Sequence, residues 1–336
     1  MSIEFERKLT EAFKRSETEL ELECPPSLDV RIMAEYGRLT MEKRGKVAIK
    51  KKWSLSKVVI ITATVALMSG FAYAGNKFLF SDTAGTYSIQ MQTNESLDLE
   101  PDALEKARAS LKEIQAQLAP GETAVVYLPE IAAKFEGGHQ PALGVTNPIY
   151  VSDKSEWKAA LTEIGAAMPD DLLGSYQFEA GTKNSPFHYE LGMDALDLLN
   201  QMQAESEQSE GDQAAQALWR LTDTETNSFV SSYTSVYRDA DGEMLQAAWV
   251  VFDDPSTRME SFAPPSTVYE ELSLSGQKAH YTKFDQSLYG DSSTLQSVMW
   301  IEQQEDRTIM HYVESDSAAM TEEKLVEAAQ ALLNMR

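Results

Sequence analysis

Three constellations in this 336-residue chain have residue types that could do chemistry. Gly290-Asp291-Ser292-Ser293 resembles the nucleophile block of a serine esterase on the surface. A serine nucleophile needs a histidine base, an orienting acid and a strand-turn-helix setting, and this tetrad falls between two predicted strands. It reads as a hairpin loop. Asp239-x-Asp241-Gly242-Glu243 opens like a calcium loop, then lacks the third ligand position and the bidentate Glu at the twelfth place, so it reads as a turn. His139, His188, His280 and His311 lack the i, i+4 or short-loop spacing of a zinc site, although His280 and His311 fall in adjacent strand patterns and could approach each other. A single Cys, Cys24, excludes an intramolecular disulfide and a Cys-cluster zinc fold. There is no Gly-rich phosphate loop and no dinucleotide fingerprint. The chain therefore reads as a non-enzyme, with no catalytic residue, no metal and no cofactor expected.

The elements that would position these residues fall into two parts beyond residue 85. The second part, 214–336, carries three hairpin patterns: 229–237 with 244–252 across Asp239-Ala240-Asp241-Gly242, 268–274 with 278–284 across Ser275-Gly276, and 295–302 with 308–313 across Gln304-Glu305-Asp306. A closing helix over 321–335 carries a stripe of Leu325, Ala328, Ala329, Leu332 and Leu333. Six antiparallel strands with a helix across one face make an α+β layer, with Tyr269, Trp249 and Trp300 feeding its core. The first part, 86–203, reads as α/β, with strands at 87–90, 123–128, 148–151 and 176–179. Its helices are expected over 101–118, 155–168 and 193–203, the first with Leu104, Ala107, Leu111, Ile114 and Leu118 on one face. Residues 76–85 read as a polar connector, 130–139 as a mixed loop, and the acidic stretch 204–213 as a solvated loop between the parts.

Charge separates the chain ends. Residues 1–57 hold 13 Lys+Arg against 10 Asp+Glu, and the remainder holds 16 against 43, within a formal net charge of -24. The acidic portion would repel nucleic acid, so none is expected as a partner. No acid occurs from Arg44 to Lys57, and an uncharged run, Val58 to Asn76, follows. As a helix its 19 residues would cover ~28 Å, close to the ~30 Å core of a bilayer, so 55–76 is expected to be one transmembrane helix behind a basic stem. Lys50, Lys51, Lys52, Trp53 and Lys57 would anchor it at the lipid surface, and the positive-inside rule places residues 1–50 in the cytoplasm and the rest outside the cell membrane. Cleavage after Ala74, in an Ala-x-Ala setting, is the rival reading. Thr62, Ala66, Gly70 and Ala74 repeat at spacing four and would let a partner membrane helix, or a second copy, approach closely. Before the stem, Phe5, Leu9 and Phe13 make one apolar stripe, and Leu28, Ile32 and Tyr36 a second one after Cys24-Pro25-Pro26. The two cytoplasmic helices would pack on each other, on a partner, or on the membrane surface.

This plan, with Pro26-Ser27-Leu28-Asp29-Val30-Arg31-Ile32 before the stem, resembles the membrane-anchored anti-sigma factors and related regulators of Gram-positive bacteria. The tract Ser273-Leu274-Ser275-Gly276-Gln277-Lys278-Ala279, then Trp300-Ile301-Glu302 and the helix over 322–333, resembles a Firmicutes extracytoplasmic domain of unknown function. The resemblance implies a single-pass regulator in which an outer sensing domain is linked to cytoplasmic helices that hold a sigma factor. The zinc-binding anti-sigma motif needs His and paired Cys in that segment, which has Cys24 alone. Phe5, Leu9, Phe13, Leu28, Ile32 and Tyr36 would then bind without metal. The alternative is a membrane-tethered envelope protein that holds a lipid or other apolar ligand against Tyr233, Tyr237, Trp249, Tyr269, Met299 and Trp300.

Overall fold

The computed structural model describes residues 61–63, 77–84, 87–135, 142–192, 194–209, 216–223, 230–253, 258–304 and 307–335. In chain order, β1 (Ile61–Ala63), β2 (Phe78–Ala84) and β3 (Tyr87–Thr93) precede α1 (Pro101–Gln117). Next come β4 (Thr123–Tyr127), α2 (Pro129–Ala132), β5 (Leu143–Thr146), α3 (Lys154–Glu163), β6 (Asp171–Leu172) and β7 (Tyr176–Thr182). β8 (His188–Glu190), α4 (Ala195–Gln208) and β9 (Leu218–Leu221) complete the mixed region. The remainder is β10 (Val230–Arg238), β11 (Met244–Phe252), β12 (Arg258–Ala263), β13 (Val268–Leu274), β14 (Gln277–Phe284), β15 (Leu295–Gln303) and β16 (Thr308–Ser315), closed by α5 (Glu322–Leu333).

The centre is an eight-stranded antiparallel sheet in the order β13-β14-β15-β16-β11-β10-β7-β6. Its middle strands are buried on both faces, which is why β11 reads MLQAAWVVF instead of alternating. On one face Tyr237, Leu245, Trp249, Val298 and Trp300 pack under α3 and α5, through Trp157 and Leu161 and through Leu325, Ala328 and Leu332. On the other, Val250, Phe252, Met299, Ile301 and Met310 meet Leu79, Phe80, Tyr87 and Ile89 of a second sheet, β12-β3-β2. A third sheet, β5-β4-β9, is sandwiched by helices. Ala124 and Val126 face α1, while Val125 and Tyr127 face Leu199 and Met202 of α4. Two turns follow from residue type. Ser275 and Gly276, at φ 50° and 89°, supply the two left-handed positions of a tight hairpin turn. Asp239 accepts from the amides of Asp241 and Glu243, so the Asp-x-Asp-Gly sequence is spent on its own backbone.

The expected fold class needs correction. The described chain is mostly sheet, with large sheets and few helices, and among the described residues no helix is long and apolar enough to cross a membrane. Ile61–Ala63, inside the stretch read as a transmembrane helix, is instead the strand β1, paired antiparallel with β8. The sequence carries the reason: seven of the eight residues from Val58 to Val65 are β-branched, and such side chains favour the extended backbone. Thr62 is therefore a strand residue whose backbone pairs with Tyr189. Ala66, Gly70 and Ala74, the anchors Lys50, Lys51, Lys52, Trp53 and Lys57, and Phe5, Leu9, Phe13, Leu28, Ile32 and Tyr36 lie outside the described residues, as do Cys24 and His139.

Other expectations moved too. The connector 76–85 contains β2, an outer strand of the second sheet. The strand placed at 148–151 is β5, a few residues earlier; Pro148 has no N–H to give a ladder, and only Val151 forms a bridge, to Gly181. The acidic loop begins later than 204, because α4 runs to Gln208 on residues that are good helix formers although polar.

Candidate ligand-binding cleft

Among the described residues, the three sequence constellations do not come together as one centre. His280 belongs to the interior between the two larger sheets: its Nε2 is 3.1 Å from Asp82, its Nδ1 3.1 Å from the Tyr269 hydroxyl, and its ring stacks on Phe80 at 3.9 Å. His311 stacks on Trp300 at 4.9 Å, with Nε2 3.0 Å from Glu302. β15 separates their strands, and the alternation of side chains puts the two rings on opposite faces of the central sheet. His188 is in β8. Among the described residues no group of three or more His, Cys, Asp and Glu side chains is placed to hold a metal ion. The six Tyr, Trp and Met residues of the apolar-ligand reading are divided between the two faces: Tyr233, Tyr237, Trp249 and Trp300 pack under the helices, Tyr269 and Met299 under the second sheet.

A concave feature lies elsewhere, where β5 and α1 approach β7, β10 and β11. It is a cleft of about 540 Å³. Its apolar lining comes from Leu111, Val145, Val236, Met244 and Leu288, and its polar lining from Lys112, Tyr150, Glu179, Arg238 and Asp291. A volume in this range suits a small molecule, and apolar walls with a few placed polar groups are the usual make-up of such sites.

Each wall is fixed by a local device. On the sheet side, the β7–β10 register shifts between Val236 and Tyr237, which pair with Ala180 and Phe178 and leave Glu179 as an extra residue. A bulge of this kind re-aims a side chain. Here it sets Glu179 2.9 Å from the Arg238 Nε, while Arg238 Nη1 also donates to the Gly242 carbonyl at 2.8 Å. On the same side, Val151 exchanges both backbone hydrogen bonds with Gly181 and so pins the segment that carries Tyr150. About half of the Tyr150 surface is exposed. Desolvation of its phenol pushes the pKa up, Glu179 pushes it further and Arg238 pulls it down, so the hydroxyl stays protonated as a donor.

The opposite wall is the loop from Asp285 to Thr294, and it is held from both sides. Arg108 of α1, nearly buried, donates to the carbonyls of Ser287 at 2.5 Å, Tyr289 at 3.3 Å and Gly290 at 3.1 Å. The Asp316 carboxylate accepts from the amides of Asp291 at 2.5 Å and Ser292 at 3.2 Å. Gly290 is required between them: its φ is +82°, and a Cβ there would stand 2.6 Å from the Asp316 carboxylate and 2.8 Å from the Phe187 ring. The loop then hands two groups to the cleft. Tyr289 donates its hydroxyl to the Gly144 carbonyl at 2.8 Å, and Asp291 faces Lys112 at 3.4 Å. With Gln115 donating to Thr146 at 2.6 Å, two carbonyls of β5 are capped by side chains.

Asp291, singled out in the sequence as part of a serine-esterase look-alike, is thus a cleft residue, and Ser292 only closes its own turn by accepting from the Thr294 amide. Arg108 and Asp316 were missed. The signal for Arg108 was available: a cation on the same helix face as Leu104 and Leu111 needs acceptors in the interior. The cleft is lined by charged, polar and apolar side chains together. No histidine or cysteine is among the residues that line it, and its two cations are each paired with a carboxylate. Comparison with protein-family models, with curated proteins and with solved structures finds no match for this chain.

Proposed function

We propose that the chain is a non-enzymatic regulator at the cell membrane, of the anti-sigma-factor-like kind, whose residues 77–335 sense a small ligand that has both apolar and charged groups. The single observation that supports the sensing role is the cleft itself: an apolar floor between two charge pairs, Arg238–Glu179 and Lys112–Asp291, on walls that Arg108, Asp316 and the Glu179 bulge hold in place before any ligand arrives. Preorganised walls lower the ordering cost of binding. The regulatory half of the reading rests on the apolar stripes at Phe5, Leu9 and Phe13 and at Leu28, Ile32 and Tyr36. The partner would be a sigma factor.

The sensing half is tested by saturation-transfer NMR on the full chain with dipeptides, monosaccharides and medium-chain fatty acids as probes. Binding by one class is expected, with loss in Met244→Trp, which fills the floor, and weakening in Arg238→Ala. A fatty acid as the sole hit would favour the apolar-ligand alternative, now seated in the cleft. If nothing binds, or if both variants bind every probe as well as the wild type, the sensing role fails. The regulatory half is tested by co-purification from cells with the full chain and its Phe5→Ala/Leu9→Ala/Phe13→Ala variant. A sigma factor should accompany the first and be lost from the second; equal recovery, or none, refutes it.

A further inference from the structure

The central sheet ends at β13, and among the described residues no strand lies along its outer side. At ~3.3 Å per residue this seven-residue edge is ~23 Å long. Its pairing with β14 runs unbroken from Val268↔Lys283 to Leu274↔Gln277, so no bulge twists it away, and it contains no proline. Open edges of that length are templates for another chain unless they are blunted. The charges present on this one, Glu270 and Glu271, are both negative.

Beside the edge runs α5, and the two enclose a groove of about 630 Å³. Its floor includes Leu272, Leu274 and Val326, and its rim carries Glu322, Glu323 and Glu327. Strand and helix run in the same direction: Glu322 feels the charge of Glu270 at one end, and Gln330 donates to the Ser275 hydroxyl at 2.7 Å at the other. The groove is therefore acidic at one end and neutral at the other. No lysine or arginine is among the residues that line it; Lys278, on the opposite face of the sheet, is engaged by Glu271 at 3.2 Å. Desolvation above all, then the neighbouring Glu270 and Glu323, push the Glu322 carboxyl above its ordinary range, and a cation in the groove would offset the two like charges.

We infer that this edge is a docking site for an extended segment of a partner protein with lysine or arginine at alternate positions, added to β13 as a further strand with its cations towards Glu270, Glu322 and Glu323. Main-chain hydrogen bonds to an open edge supply affinity in this mode, and alternate side chains supply specificity. Opposite charge sets the register and speeds the encounter. The occupant follows from the two features together: the edge demands an extended backbone, and the rim demands positive charge.

A chain with a net charge of -24 attracts any polycation, so the test must separate strand addition from general attraction. Fluorescence anisotropy with the full chain would compare a labelled ten-residue peptide of alternating Lys and Val with two versions N-methylated at alternate amides, one in each phase. N-methylation removes the donors that strand addition needs and keeps the charge. The unmodified peptide is expected to bind, one methylated phase to lose about tenfold or more in affinity, and Glu270→Gln/Glu323→Gln/Glu327→Gln to lose a similar factor. All three glutamates are exposed, so the triple variant should fold. Equal binding of all three peptides would overturn the inference in favour of bulk electrostatics. No binding of the unmodified peptide would overturn it as well, and would leave Glu270 and Glu271 as charges that keep the edge unpaired.

Discussion

Replacing Arg108 with Met tests whether the cleft wall is clamped as described. Met keeps an unbranched stem that can follow the arginine's path, so the change removes donors and leaves volume nearly intact. All three carbonyls lose the guanidinium, but that of Tyr289 keeps the Ser287 hydroxyl as a donor at 3.0 Å. Those of Ser287 and Gly290 sit at short range, and that of Tyr289, at 3.3 Å, shares its donor atom with Ser287. A hydrogen bond to a charged group contributes about 1.5–3 kcal/mol, and an orphaned buried acceptor costs about 1–3. Two offsets apply. Removing a buried guanidinium relieves its desolvation penalty, and the half-buried carbonyls of Tyr289 and Gly290 can turn to water. Ser287 is fully buried and cannot. The net expectation is a loss of about 2–4 kcal/mol, read from urea denaturation. The loss should be local in origin, so hydrogen exchange should accelerate at residues 286–294 more than in β15 or β16. Arg108→Lys can serve the Ser287 carbonyl but not all three, and should fall between wild type and Arg108→Met. A change below about 0.5 kcal/mol with unaltered exchange in the loop would refute the clamp, because changes of that size are ordinary for surface substitutions.

Three further outcomes follow from the packing. In Gly181→Ala the new Cβ would overlap the indole of Trp157, which is buried and donates to Ser235 at 2.8 Å; a loss of about 3 kcal/mol or more in urea denaturation is expected, much of it recovered when Trp157→Leu is added, and no recovery would show that the strand and not the ring is at fault. Gly290→Ala forces both a left-handed backbone and a clash with Asp316 and Phe187, so it should weaken ligand binding in the cleft and cost about 2 kcal/mol, whereas a neutral result would mean that the loop is softer than its two clamps imply. Burial holds the His280 imidazole below its ordinary 6.5 against the opposing pull of Asp82, with Lys278 lowering and Glu271 raising it in smaller measure and the Tyr269 hydroxyl beside it. The unfolded chain then binds the proton more readily than the folded one, so stability should fall as pH drops through about 6.5 and stop falling below the depressed folded value. His280→Gln should flatten that part of the profile of urea midpoint against pH, and an unchanged slope would assign the pH dependence to other groups.

How legible the molecule was in its sequence depended on where each strand finds its partner. β10 with β11, β13 with β14 and β15 with β16 pair with their chain neighbours across short turns, and their alternation, aromatic content and turn residues suffice to place them. β12 pairs in parallel with β3, more than 160 residues earlier, and nothing local announces that. β2 ends in the polar residues of a sheet edge and so passes for a connector. The apolar run after Lys57 shows the limit of composition: length and lack of charge fit a membrane helix, and its β-branched start fits the strand seen at Ile61–Ala63. For the site, types and spacing along the chain were a poor guide. The cleft draws on α1, β5, β7, β10, β11 and a loop, so no window of sequence contains it. What sequence does mark is the misfit residue, a cation on an apolar helix face at Arg108 or a glycine in a polar loop at Gly290.

The position of the cleft follows from how the back of the central sheet is covered. One cover, β12-β3-β2, takes the region of Val250, Phe252, Met299, Ile301 and Met310. The other, the sandwich of β5-β4-β9 with its helices, reaches the same sheet near Ala180, Val236 and Met244 through β5, α1 and the Arg108-clamped loop. The cleft is the gap between that second cover and the sheet. This explains its composition: the floor is sheet surface patterned for a core, hence Val236 and Met244, while the charges come from the end of β10 at Arg238, the bulge at Glu179, the exposed side of α1 at Lys112 and the loop at Asp291. It also decides between places for an apolar ligand. The Trp and Tyr residues of the sheet are already packed under α3, α5 or β2, so a ligand there would have to displace a core cluster, whereas a ligand in the cleft only completes one. Occupancy would tie the second cover to the sheet through Tyr150, Arg238 and the 285–294 loop. The physical signal available to such a sensor is a change in how firmly those parts are held together.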